Sequence, residues 1–232
     1  MANLKHAIKQ GIVALKAKNI QPVMQTVGDE CLLKGKTALV VGGSGGIGKA
    51  VAKAFLKNGA NVVIAGTRRA KVDKVVLELG EKCAGVVVDL AEPETFSKVI
   101  DEAVAFYGPI DILVNSAGVH TEDVSMGGFL DFSVEEYDRI LDINLRGVYF
   151  MVQSVAKRMI SDKVSNGHIL IVSSSAGNEP AWSPYRVSKW GLKGITEGMA
   201  SALVPHGIVV NAIAPGSTAT PLLGVEEGDS IS

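Results

Sequence analysis

The sequence predicts a single-domain α/β fold: a doubly wound parallel sheet of six visible strands with helices on both faces. Two observations carry this. From Lys36 onward, short runs rich in Val, Ile and Leu alternate with longer stretches of helical period, the rhythm of strands joined by crossover helices. Most of these runs are nearly continuous in apolar residues, as expected where helices cover both faces of a sheet. At 232 residues the chain also stays within the size at which one hydrophobic core keeps growing.

The strands are read at Thr37 to Val41, Asn61 to Ala65, Gly85 to Val88, Asp111 to Val114, His168 to Val172 and Ile208 to Ile213. Between them, Ile47 to Lys57, Ala70 to Leu79, Glu94 to Phe106, Val134 to Ile160 and Pro184 to Val204 read as helices, with Pro93 and Ser133 at suitable starts. In the fourth, Val148, Tyr149, Phe150, Met151, Val152, Val155, Met159 and Ile160 make a stripe wider than one buried face requires, which points to a subunit interface in a homo-oligomer, a dimer or tetramer. Residues 1–33 stand apart as a helical extension, with Lys5, Lys9, Lys16 and Lys18 interleaved with Leu4, Ile8, Ile12, Val13 and Leu15. They read either as an arm packed on the protein or as a surface-docking amphipathic helix.

Hydrophobic residues make up 47% and charged residues 20%, with a formal net charge of -1, so a nucleic-acid partner, which needs a clustered basic excess, is not expected. Cys31 and Cys83 are too few and too far apart for a disulfide framework or a zinc motif. His6, His120, His168 and His206 show no ligand spacing, so no metal is expected. No apolar run reaches the ~20 residues that span a bilayer, and Lys16 and Lys18 interrupt any leader-like segment, so a cytoplasmic protein without integral membrane association is expected.

Glycine is enriched, at 26 residues. The enrichment concentrates in Gly42-Gly43-Ser44-Gly45-Gly46-Ile47-Gly48, between the first strand and the first helix. Glycines there let the backbone turn sharply and approach a pyrophosphate, while the helix start offers free N–H groups and partial positive charge. The other reading is a flexible turn without a ligand. At the end of the second strand, Ala65-Gly66-Thr67-Arg68-Arg69 carries no acid. A carboxylate there would bond the ribose 2′-hydroxyl of NAD, whereas Arg68 suits the 2′-phosphate of NADP. NADP is therefore the preferred expectation and NAD the alternative, unless both arginines are solvated helix-start residues.

The spacing Gly42, Gly46, Gly48 resembles the TGxxxGxG pattern of the short-chain dehydrogenase/reductase family, with Val41 where that pattern has Thr. Further matches follow in order. Asn115-Ser116-Ala117-Gly118 resembles the NNAG motif, Asn144-Leu145-Arg146-Gly147 the NxxG segment, and Ser174, Gly177, Tyr185 and Lys189 the Ser-x-x-Gly and Tyr-x-x-x-Lys signature. Asn211 to Gly216 resembles the PG motif, and the whole resemblance spans Lys36 to about Thr220.

The resemblance implies a Rossmann-type enzyme moving hydride between NADP(H) and a ketone or secondary alcohol, with Asn144, Ser174, Tyr185 and Lys189 as catalytic residues. It implies that Tyr185 acts as general acid/base, that Lys189 supplies positive charge and holds the nicotinamide ribose, that Ser174 orients the substrate oxygen, and that Asn144 positions a relay water. Ser173 or Ser175 stays open as the serine, because eleven residues from Ser174 to Tyr185 is slightly short for the family. Cofactor contacts are implied for the Gly42–Gly48 loop including Ser44, Gly46 and Ile47, for Arg68, Asp89, Asn115, Ala117 and Gly118, for Tyr185 and Lys189, and for Pro215, Gly216 and Thr220.

Chemistry explains the residue types. A free phenol, with a pKa of about 10, is a poor base at neutral pH, and bringing one towards ~7 takes about 4 kcal/mol of preferential phenolate stabilisation, which neighbouring positive charge can provide. Read without the resemblance, Asp89 is equally a turn former, Asn115 a structural residue and Asn144 a helix cap. Trp182, His120 and Met126 fall in loops suited to a substrate pocket, with Trp182 open between packing and platform. Since the family usually continues past the PG motif through a lid and a seventh strand, residues 34–232 are expected to be a catalytic domain without them. A non-catalytic nucleotide sensor or scaffold is the rival reading.

Overall fold

The computed structural model describes residues 32–121, 126–216 and 218. Each apolar run forms a strand: β1 Thr37–Val41, β2 Asn61–Gly66, β3 Cys83–Val87, β4 Ile112–Asn115, β5 Gly167–Val172 and β6 Ile208–Ile213. All pair in parallel, in the order β3-β2-β1-β4-β5-β6. The order reverses between β1 and β4, where Val41 pairs with Asn115, and the loops leaving these two strands diverge there to open a crevice at their carboxyl ends.

Alternate residues of the strands feed two cores. Ala38, Val40, Val62 and Ile64 pack beneath α1 (Gly46–Lys57) and α2 (Arg69–Leu79). Leu39, Val41, Val63 and Ala65 face the other side, with α3 (Phe96–Tyr107), α5 (Val148–Ser161) and Leu192 of α6 (Pro184–Leu203). On β6, Ile208 and Val210 are buried in this second core, while Val209 and Ile213 on the opposite face are 43% and 42% exposed.

Beyond shifts of one or two residues at strand and helix ends, the helical segments differ from expectation in three places. A 3-10 turn over Pro93–Thr95 precedes α3, and another, Val204–His206, follows α6. The long helix expected from Val134 to Ile160 is corrected to α4 (Val134–Leu141), a π-type turn (Asp142–Gly147) and α5. The cause is tertiary. Asn144 is buried with its amide turned to the backbone after β4, and Gly147 packs so closely that a Cβ would stand 2.2 Å from the Leu90 carbonyl oxygen. A widened turn lets both contacts form without ending the helix.

Ser133 caps α4 by accepting the Glu136 N–H at 3.1 Å, and Ser183 caps α6 by accepting that of Arg186 at 3.3 Å. Cys83 is a buried free thiol whose pKa is pushed up to about 11 by burial, which disfavours thiolate chemistry. The N-terminal extension expected over residues 1–33 lies outside the described residues except for Leu32 and Leu33. Among the described residues, no helix is long and apolar enough to cross a membrane.

Candidate active site

The glycine loop joins β1 to α1. Gly42 has φ +80°, and a Cβ there would stand 2.5 Å from the Ala117 backbone nitrogen, so only glycine fits both the turn and the neighbouring strand end. At Gly48 a Cβ would meet the Gly42 carbonyl oxygen at 2.3 Å. The helix opens on Gly45 without a side-chain cap, which leaves its first N–H groups for the crevice. Val41 offers no hydroxyl to brace the loop, and the brace comes from across the crevice, where Ser116 Oγ donates to the Val41 carbonyl at 2.8 Å.

The resulting cleft has a volume of about 620 Å³. Gly42, Ser44, Gly46, Ile47, Gly48, Arg68, Asp89, Ala117 and Gly118 all line it, so most of the expected cofactor contacts come together. Arg69 is bound to Asp73 at 3.0 Å, whereas Arg68 has no ion-pair partner among the described residues. Lys71, one helical turn beyond Arg68, adds a second cation to the cleft, and that i, i+3 spacing was the available signal for it. Asp89 lines the cleft and accepts the Ala91 N–H at 2.9 Å, the bond of a turn former. Asn115 does not line the cleft; its side chain is buried at the end of β4, and its amide has no hydrogen-bond partner among the described residues. Pro215 accepts the Ser175 N–H at 2.8 Å and fastens the end of β6 to the β5 loop, Gly216 follows it, and Thr220 lies outside the described residues.

Beside this cleft, α6 carries Tyr185 and Lys189 one turn apart. The Lys189 ammonium is 5.5 Å from the Tyr185 ring centroid and donates to the Val172 carbonyl at 3.3 Å. Lys189 is 5% exposed, and burial lowers its pKa to about 8. Among the described residues the Tyr185 hydroxyl has no hydrogen-bond partner. Of the three serines, Ser173 spends its hydroxyl on the Lys189 carbonyl at 3.3 Å, whereas Ser174 only accepts, from the Ala176 N–H at 3.2 Å, so its proton stays available to donate. Ser174 and Lys189 share a smaller cavity of about 230 Å³ between α6 and β6.

Asn144 ties these parts together. Its Oδ1 accepts the Val119 N–H and its Nδ2 donates to the Val119 carbonyl, both at 2.8 Å. Nδ2 also reaches Ser188 Oγ at 3.3 Å, and that hydroxyl donates to the Tyr185 carbonyl at 2.6 Å. Ser188 is a residue the sequence reading missed, although its position beside Lys189 and three after Tyr185 was a usable signal. Trp182 is partly buried, with the Phe132 ring nearly parallel to it at 6.4 Å between centroids and the Arg186 guanidinium 5.3 Å from its centroid. Met126 begins a 3-10 turn, Met126–Leu130, in the loop before α4.

A parallel sheet with a glycine-rich crevice at its reversal point, flanked by a buried Lys and a Tyr, defines a dinucleotide-dependent oxidoreductase architecture. A profile of the short chain dehydrogenase family matches residues 36–229. The chain belongs to this short-chain dehydrogenase/reductase family of NAD(P)-dependent enzymes. It is 37% identical over 196 residues to "Oxidoreductase UcpA" of Escherichia coli, covering 82% of this chain and 72% of that protein. Among solved structures, a dehydrogenase/reductase from Sinorhizobium meliloti superposes with TM-score 0.74 at 33% identity, covering 84% of this chain and 76% of that one. The 3-ketoacyl-(acyl-carrier-protein) reductase from Brucella melitensis complexed with NADH superposes with TM-score 0.76 at 32% identity, covering 83% and 80%.

Proposed function

We propose that this chain interconverts a ketone and a secondary alcohol with NADP(H) as preferred dinucleotide, and that Tyr185 exchanges the proton. The observation that carries the reading is the convergence of Tyr185, Lys189 and Asn144 beside a cleft whose glycines leave room for a ligand backbone. The residues fit a dinucleotide. Uncapped α1 N–H groups suit the pyrophosphate, and Arg68 with Lys71 suits a 2′-phosphate that a carboxylate would repel. When bound, the nicotinamide supplies or accepts hydride.

The protein's part is the proton and the charge. Ser174 donates a hydrogen bond to the substrate oxygen and so stabilises developing negative charge. Tyr185 gives its phenolic proton to that oxygen in reduction and takes it back in oxidation. Lys189, held by the Val172 carbonyl, favours phenolate through its positive charge. Asn144 and Ser188 fix the helix register that brings Tyr185 and Lys189 together, and Asn144 positions a relay water. Residues 34–232 constitute this catalytic unit, and the setting is a reducing cytoplasm.

The test is the absorbance of NADPH and NADH followed over a panel of alkyl and aryl ketones. Tyr185→Phe should lower kcat by about 10²–10⁴-fold without loss of dinucleotide binding; turnover at wild-type rate would refute the mechanism. Arg68→Ala should weaken NADP⁺ binding about tenfold and leave NAD⁺ binding unchanged, as titration calorimetry would measure. Equal affinities that survive the substitution would refute the NADP preference.

A further inference from the structure

His120 follows the Asn115–Gly118 stretch by two residues, and its imidazole lies against the Tyr185 ring, with centroids 4.0 Å apart and planes inclined at 32°. The ring is itself held. Nδ1 is 3.0 Å from the Thr121 carbonyl and 3.2 Å from the Thr121 hydroxyl, and the His120 carbonyl accepts from the Arg139 guanidinium at 3.3 Å. One residue earlier, both backbone groups of Val119 are bound by Asn144. The imidazole therefore stands on a fixed length of chain that α4 and the π-type turn brace from below.

We propose that His120 is a positioning residue for Tyr185, stacking against the phenol ring to hold it in the rotamer it adopts beside Lys189. The proposal rests on the reading of Tyr185 as the proton-exchanging group. A half-buried tyrosine can leave its rotamer well, and a flat partner at stacking distance removes that freedom. The consequence is large because misplacing a reacting group by about 1 Å can cost on the order of 10²-fold in rate.

Three substitutions in the full chain separate the possible roles. His120→Ala removes the ring, His120→Phe keeps an aromatic face without the nitrogen, and His120→Asn keeps a polar group for Thr121 without the aromatic face. The chain has four tyrosines, so ¹³C-tyrosine labelling gives few ring signals, and Tyr185→Phe identifies the one belonging to Tyr185. His120→Ala and His120→Asn should move the Tyr185 ring signal by loss of the ring current and leave Tyr107, Tyr137 and Tyr149 in place. On the same ketone panel both should lower kcat about tenfold, with KM for NADPH within about twofold of wild type, and His120→Phe should restore kcat to within about threefold.

An unmoved Tyr185 signal in His120→Ala overturns the proposal. So does a wild-type kcat in His120→Asn, or a His120→Phe protein as slow as His120→Ala. If Tyr185→Phe abolishes turnover while His120→Ala does not affect it, this proposal alone falls. If turnover survives Tyr185→Phe, the reading of Tyr185 falls and the role of His120 falls with it.

Discussion

Burying the Lys189 ammonium at 5% exposure has a stability cost whose sign follows from its pKa of about 8, against an ordinary value of 10.5. Below pH 8 the residue is protonated in both folded and unfolded chains, and the folded state bears the full desolvation penalty. Between pH 8 and 10.5 the unfolded chain binds more protons than the folded one, so stability rises with pH; above that window the penalty is gone. The penalty at neutral pH is about 3 kcal/mol. Lys189→Met should therefore be more stable than wild type at pH 7, with the difference shrinking towards pH 10, as urea unfolding of the ligand-free protein would measure. A gap independent of pH would show that desolvation is not its origin. This stability is given up at the position where the proposed chemistry needs a cation.

At the scale of elements, the strands could be read from composition because a sheet covered on both faces leaves few polar positions, and their limits match to within two residues. The Gly42–Gly48 segment was likewise legible, since a turn that only glycine can make leaves its mark in sequence. What escaped notice depends on partners distant in sequence. The apolar period continues through Asp142–Gly147, and nothing local reveals that Asn144 will bind Val119 or that Gly147 will lie on Leu90. Nor could the sequence show that the hydroxyl of Ser173 finds its acceptor on Lys189, sixteen residues on. The His120 stack has no sequence signal, as it requires the loop after β4 to converge with the start of α6.

For the molecule as a whole, α5 presents Tyr149 and Phe150 at 41% and 37% exposure, with Ile160 at 40% near its end. Exposed apolar side chains on a helix that has already buried Met151, Val152, Val155 and Met159 suit a self-complementary interface, which in stable dimers buries about 1,200–2,000 Å² in total. We propose that the chain self-associates through this face. Phe150→Glu should shift the protein to smaller species in analytical ultracentrifugation, and an unchanged sedimentation profile would place the interface elsewhere. The π-type turn bears on the same face. Because it accommodates one residue more than an α-helix of equal rise, it acts as a spacer, and deleting a residue from 142–147 would let the two helices fuse into one regular rod. Such a deletion would close the widened turn that seats Asn144 and Gly147, withdrawing the amide that joins residues 119 and 188. The segment should thus tolerate neither a change in its length nor an exchange at Asn144 or Gly147, while its exposed positions stay free to vary.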